Sequence, residues 1–415
     1  MSDRIEPTRE PGERGAGPRI LQVLPALGDG GAERDTLDLA HHLIEHGWTP
    51  IVASSGGRCE VEACKLGIAT FRLPLHAKNP LVIRANVGRL QRLAQAQGVQ
   101  LIHAHSRAGA WSSRYAARRC GIPFVTTFHG VYRGSERFLK RRYNGIMAQG
   151  DRVIAVSEHV ACHVRERYGV TADRLRVILR GIDLKAFAAE AIGRERIDAL
   201  AMRWQVPQGN GGRVKIVMLP GRITPIKGHL LLLQAIEQMK RRDLVCLLVG
   251  PSKRGSRYLR EIERQIESRG LSNVVRLVGG CGDMAAALLL ADAVVVPSSG
   301  PEAFGRVSIE AQALGRPVVA TDIGGLGETL MPAVTGWLVP PDNPAELARA
   351  LELALAMPDD ARARLAARAR RLVQRRFSIE RMAESTLAVY RELLGPDVRA
   401  SADAPARVPG APPRD

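Results

Sequence analysis

The feature that most constrains this fold is a rhythm of short apolar runs, each followed by a helical pattern, repeated through two halves of the chain. In the first half the runs fall near residues 19–24, 49–53, 71–73, 101–105, 124–127, 153–156 and 176–179. Helical patterns fall near 36–46, 81–97, 108–119 and 158–168. In the second half the runs are 214–219, 245–249, 274–277, 293–296 and 318–321, with helices near 229–239 and 258–269, long helices across 344–376 and a last one at 379–394. Runs too short for helices, alternating with amphipathic segments, predict parallel sheets covered on both faces. The expected class is therefore α/β, with two doubly wound, Rossmann-like domains and an inter-domain cleft as the natural ligand site.

The expected boundaries follow from composition. Residues 1–18 and 396–415 are Pro-, Gly- or Ala-rich tails. Residues 19–206 form a first domain, 213–376 a second, and 377–395 a last helix; the turn-rich Pro207–Gly212 stretch separates the halves. Six cysteines without a CxxC pair read as reduced thiols, and no apolar run reaches the ~18–20 residues of a membrane span. No leader is evident at residues 1–18, so the expectation is a cytoplasmic protein. A net charge of +18 suggests an anionic partner, although Arg is abundant everywhere. Nucleic acid is disfavoured, because aromatics are only 4% of residues and no reading motif appears.

The chemistry-bearing residues gather at predicted strand ends. Gly30 and Gly31 follow the first strand and permit close backbone approach to a phosphate, or form a plain strand-to-helix turn. His129 ends the 124–127 strand, where a neutral imidazole would meet a hydroxyl or a leaving group. Arg222 and Lys227 share one loop after a strand, and Lys is scarce, at 8 of the 60 basic residues. A guanidinium fork and an ammonium together suit a diphosphate. Glu302 and Glu310 stand eight residues apart, the first in a loop and the second in a helix, and between them Phe304 offers an apolar contact and Gly305 a permissive backbone. Such a pair invites a two-carboxylate acid/base reading. Set beside the basic loop, the two carboxylates read instead as holders of hydroxyls, Glu310 suiting the vicinal pair of a ribose. His103 with His105, and His159 with His163, lack further placeable ligands, so no metal site is expected.

Taken in order, Gly30-Gly31-Ala32-Glu33-Arg34, His129-Gly130, Gly221-Arg222 with Lys227-Gly228, Glu302 with Glu310 around Phe304-Gly305, and Gly324-Gly325 resemble the family 4 retaining glycosyltransferases of GT-B fold. The lipopolysaccharide and capsule enzymes of bacteria look most similar. The resemblance covers about residues 19 to 395. It implies that Gly30 and Gly31 approach the donor diphosphate, that Arg222 and Lys227 neutralise it, and that Glu310 holds the ribose. Glu302, with the Phe304-Gly305 backbone, would hold the donor sugar, and His129 would touch that sugar from the first domain. It implies a hexosyltransferase with no obligatory metal or cofactor, which moves a sugar from a nucleotide diphosphate to a cell-envelope glycan or lipid-linked acceptor. It also implies a last helix that crosses back to the first domain. The chain departs from the family pattern at Arg180, Ile226 and Arg316.

Two other classes compete. A nucleotide-sugar epimerase, or another non-transferring enzyme of this fold, would turn over donor without acceptor. A non-enzymatic module would use the positive charge for nucleic acid or membrane, with steep salt dependence. The 132–142 segment, with Arg133, Arg137, Lys140, Arg141 and Arg142 among Tyr132, Phe138 and Leu139, suits the inner face of the cytoplasmic membrane or a solvated helix.

Overall fold

The computed structural model describes residues 17–28, 30–132, 138–206, 214–241 and 243–395. The two tails, the Pro207–Gly212 boundary, Arg133 and Arg137 lie outside the described residues.

Thirteen strands form two sheets among the described residues. The first contains β1 (Arg19–Val23), β2 (Thr49–Ser54), β3 (Ala69–Arg72), β4 (Leu101–Ala104), β5 (Phe124–Phe128), β6 (Arg152–Ala155) and β7 (Leu175–Val177), in the order β3-β2-β1-β4-β5-β6-β7. The second contains β8 (Lys215–Pro220), β9 (Leu244–Val249), β10 (Val275–Gly279), β11 (Ala293–Val296), β12 (Val318–Thr321) and β13 (Trp337–Val339), in the order β10-β9-β8-β11-β12-β13. Every pair in the second sheet is parallel. All six residues of β9 and all four of β11 are buried, as parallel strands covered on both faces require. The apolar core lies in two layers, one on each face of this sheet: Leu232, Ile236, Leu248 and Leu351 on one side, and Leu247, Ala286, Leu288 and Leu314 on the other.

Strand order reverses between β1 and β4 in the first sheet and between β8 and β11 in the second. Ligands of open α/β sheets bind outside the carboxyl ends of strands at such reversals. Helix starts differ in their caps. The helices Pro80–Ala96, Glu158–Tyr168, Arg257–Ser268 and Pro344–Leu355 are capped by the side chains of Asn79, Ser157, Ser256 and Asn343. The helices after β1, β8 and β11 begin at Gly30, Gly228 and Gly305, with no side-chain cap. Glycine at these starts lets other backbone or a ligand approach closely.

Packing divides the chain into two compact units, one of Met1–Thr127, Glu136–Ile154 and Ala383–Asp415, the other of Phe128–Ser135 and Ala155–Met382. The last helix, Ile379–Leu394, thus carries residues of both. In the first unit its Tyr390 is fully buried, with its hydroxyl 2.7 Å from His103 Nδ1, while His103 Nε2 meets the Thr127 hydroxyl at 2.7 Å. Burial holds the His103 imidazole well below its ordinary range, with His105 acting in the same direction, so it is a neutral bridge from strand to helix. In the second unit the helix start is stitched to the 180–183 loop. Ile182 N donates to Phe377 O at 2.9 Å and Ile379 N to Ile182 O at 3.1 Å. A Cβ on Gly181 would lie 2.4 Å from Ser378 O, which explains the glycine beside the unusual Arg180.

One expectation is corrected: the first helix starts at Gly31, not near residue 36. The helices expected from 344 to 376 are two, Pro344–Leu355 and Asp359–Arg376, separated just before Pro358. The edge strand β13 had no counterpart in the sequence pattern. Among the described residues no helix is long and apolar enough to cross a membrane.

Candidate active site

The reversal between β8 and β11 brings two loops of the second unit together. The loop after β8 carries Arg222 and Lys227, and the loop after β11 carries Glu302. They are laced by backbone and serine contacts: Ser299 N donates to Ile226 O at 3.0 Å and Ser299 Oγ to Pro225 O at 3.0 Å. Gly228 presses on the same junction, with φ +69° and room for no side chain.

Across this junction Lys227 Nζ lies 2.6 Å from Glu302 Oε1, both side chains largely buried at 20% and 16% exposure. Ser298 Oγ donates to the same oxygen at 2.8 Å. Glu302 Oε2 makes no hydrogen bond among the described residues, so one carboxylate oxygen is anchored and the other is open to accept hydroxyls. The Glu302 backbone is fixed too. It forms a bridge with Gly324, accepts from Gly325 N at 2.8 Å, and leaves no space for a Cβ on Gly324.

The remaining expected residues fall as follows. Arg222 is exposed, and its guanidinium makes no hydrogen bond or ion pair among the described residues. Glu310 sits in the helix Arg306–Ala313, 9% exposed, and accepts from Arg306 Nε at 2.8 Å. Glu302 and Glu310 are therefore held in two separate ion pairs, the arrangement of anchored acceptors and not of a proton-sharing dyad. Gly305 adopts φ +98° at the start of that helix. Phe304 is 1% exposed and packs edge-on against Phe377 at 5.6 Å. Its side chain is core, which corrects the expected apolar ligand contact and leaves only its backbone to face a substrate. His129 is half-buried, and the adjoining Gly130 comes against Ala303, where a Cβ would sit 3.8 Å from that side chain. Gly30 and Gly31 belong to the first unit, at the uncapped start of the helix Gly31–Glu45.

Sequence reasoning missed four residues. Ser298 and Arg306 orient the two carboxylates. Ser157 Oγ donates to Ala303 O at 2.6 Å, and Glu328 accepts from the N–H groups of Glu158 and His159 at 2.8 Å each. A serine pair following a strand and an i,i+4 Arg–Glu pair were visible signals for the first two. The contacts of Ser157 and Glu328 span 146 and 170 residues and left no local trace.

His229, directly after the glycine, is fully buried. Burial drives its imidazole down to about 4, with Lys227 pushing the same way and the Thr224 backbone opposing. Between pH 6.5 and about 4 the unfolded chain takes up a proton that the folded site refuses. Stability is therefore full above the ordinary value and falls as pH drops through this window, by about 3 kcal/mol at most. Urea denaturation at pH 7, 5.5 and 4.5 should show this decline, and His229→Phe should flatten it. An unchanged slope in the variant would assign the acid sensitivity elsewhere.

Two family models match the chain: "Glycosyltransferase Family 4" over residues 29–186 and "Glycosyl transferases group 1" over residues 203–372. A D-inositol 3-phosphate glycosyltransferase of Xylanimonas cellulosilytica is 30% identical, with 92% of this chain and 98% of the relative covered. The enzyme of the same name from Salinispora tropica is 32% identical, over 74% of this chain and 67% of the relative. The crystal structure of a glycosyltransferase from Rickettsia africae superposes with a TM-score of 0.83 at 35% identity, covering 92% of this chain and all of that one. The lacing of a basic loop to a carboxylate loop at a parallel-sheet reversal is thus found in a chain matched in both halves and along nearly its full length, and this protein belongs to the family 4 glycosyltransferases, enzymes of the GT-B fold.

Proposed function

We propose that the protein is a retaining hexosyltransferase whose donor is a nucleoside diphosphate sugar. The observation that carries this reading is the Lys227–Glu302 pair at the β8/β11 reversal, which sets a cation and an anchored hydroxyl acceptor side by side. Arg222 and Lys227 take up the charge of the diphosphate as it leaves, Glu302 Oε2 accepts from the sugar hydroxyls, and Glu310 holds the ribose. His129, Gly30 and Gly31 keep the roles that the family resemblance implies. In front-face transfer the anomeric C–O bond to the diphosphate breaks, the acceptor oxygen bonds to the same face, and the acceptor proton passes to the departing phosphate oxygen. The protein needs no nucleophile of its own, and the basic loop supplies the countercharge without an obligatory metal.

For the acceptor, the named relatives favour a small phosphorylated polyol such as D-inositol 3-phosphate. A second reading, a cell-envelope or lipid-linked glycan reached from the cytoplasmic side of a membrane, is favoured by the helix Phe138–Asn144. There Phe138 and Leu139 are 74% and 78% exposed, beside exposed Lys140, Arg141 and Arg142.

Thermal shift against UDP-, GDP- and ADP-sugars tests the donor. Ligand at 100 times Kd should add about 2.7 kcal/mol of stability. Glu310→Gln, which keeps a partner for Arg306, should weaken the effective donor about tenfold or more. No shift with any nucleotide sugar, or an undiminished shift in the variant, would sink the assignment. Product analysis with D-inositol 3-phosphate and with lipid-linked glycans separates the acceptors. Epimerised donor appearing without acceptor would favour the non-transferring alternative.

A further inference from the structure

In the first unit the helices Pro80–Ala96 and Arg107–Cys120 pack side by side, joined where Ser112 Oγ donates to Ile83 O at 3.1 Å. Beside this junction lies a cavity of about 460 Å³, within the size range of small-molecule sites. One wall is apolar. Trp111 and Tyr115 stack with centroids 6.3 Å apart and planes at 20°, and Trp111 Nε1 donates to Tyr143 O at 3.1 Å. Ile83 and Val87 complete that wall.

The charge is one-sided. Lys78, Arg84 and Arg119 line the cavity, and among the described residues no acidic side chain does. All three cations are exposed, and none makes a hydrogen bond or ion pair among the described residues. Two exposed apolar side chains lie near the lining in sequence: Leu81, 76% exposed, follows Pro80, and Leu139 stands one helical turn before Tyr143.

We propose that this cavity binds a single amphiphile, an apolar chain carrying an anionic phosphate-type head, with the chain against Trp111, Tyr115 and Ile83 and the head among Lys78, Arg84 and Arg119. A free inorganic anion would leave the apolar wall wet, and a neutral hydrophobe would leave three cations without a counter-charge; an amphiphile satisfies both halves. The site is distinct from the residues assigned to the donor, and it stands whichever acceptor is correct.

The probe is decyl phosphate below its critical micelle concentration, followed by calorimetry and by tryptophan fluorescence, with Trp111→Phe identifying the reporting ring. We expect saturation at one molecule per chain, at least tenfold weaker binding of decanol, and none of inorganic phosphate. The double variant Arg84→Glu/Arg119→Glu, at two exposed positions, should weaken decyl phosphate at least tenfold without changing donor turnover. Ile83→Asp, which keeps the three cations, should lose the chain-dependent part of the binding. Equal binding by the charge-reversed protein, equal binding of inorganic phosphate, or a response only to anionic vesicles would overturn the proposal, the last by making this face a membrane contact and not a single-molecule site.

Discussion

Replacing Lys227 with alanine should lower kcat/KM for sugar transfer by about 10²–10³-fold, the cost of removing one preorganised charge partner from a developing oxyanion, about 3–4 kcal/mol. The structure gives this substitution two effects that must be separated. Lys227 is the ion-pair partner of Glu302 among the described residues, and both groups are mostly out of water, so alanine also strands a carboxylate. Glu302 keeps its Ser298 hydrogen bond and its bridge to Gly324, so its position should survive. A double-mutant cycle with Glu302→Ala divides the terms. If Lys227 acts chiefly on the diphosphate, the double variant should be markedly worse than Glu302→Ala alone. If it only neutralises Glu302, the second substitution should add little. Lys227→Arg should recover only part of the rate, because a planar fork cannot occupy the compact ammonium position. Transfer by Lys227→Ala within threefold of the parent would remove the clamp from the mechanism.

The fold was legible where local pattern and tertiary environment agree. The runs at 293–296 and 318–321 are buried on both faces and carry β-branched residues, so pattern alone located β11 and β12 closely. Pattern failed where one end of an element lacks a side chain to read. Gly31 opens a helix with the weakest helix former short of proline, so the periodic signal began only at Thr36. The edge strand β13 is three residues long and follows Gly336, too short for alternation to show. At the site, spacing placed Lys227 and Glu302 on strand-end loops but could not reveal that they meet 75 residues apart. Phe304 shows the reverse error. Its neighbours suggested a ligand contact, and only the fold reveals Phe377 against its ring.

The largest stability effect is expected at Gly228, where two penalties coincide. Its φ of +69° is unfavourable for any residue with a Cβ, at about 1–2 kcal/mol, and a Cβ there would lie 1.6 Å from Pro297 O. That atom belongs to backbone at the end of β11, next to Ser298, so it cannot yield as a side-chain tip would. Gly228→Ala should therefore cost about 3–4 kcal/mol, lowering the melting temperature of its unit by roughly 10 °C. It should also weaken donor binding, because relieving the clash moves the strand end that carries Ser298 and Glu302. Gly255 is the matched control. It has the same φ of +69°, and a methyl group added there would meet no heavy atom within 4 Å. Gly255→Ala should show the conformational penalty alone, a drop of about 2–4 °C for each kcal/mol, with donor binding intact. Calorimetric unfolding of both variants decides the matter: equal melting temperatures would mean that the Pro297 contact contributes nothing, and that the β8 and β11 loops are not held together at this glycine.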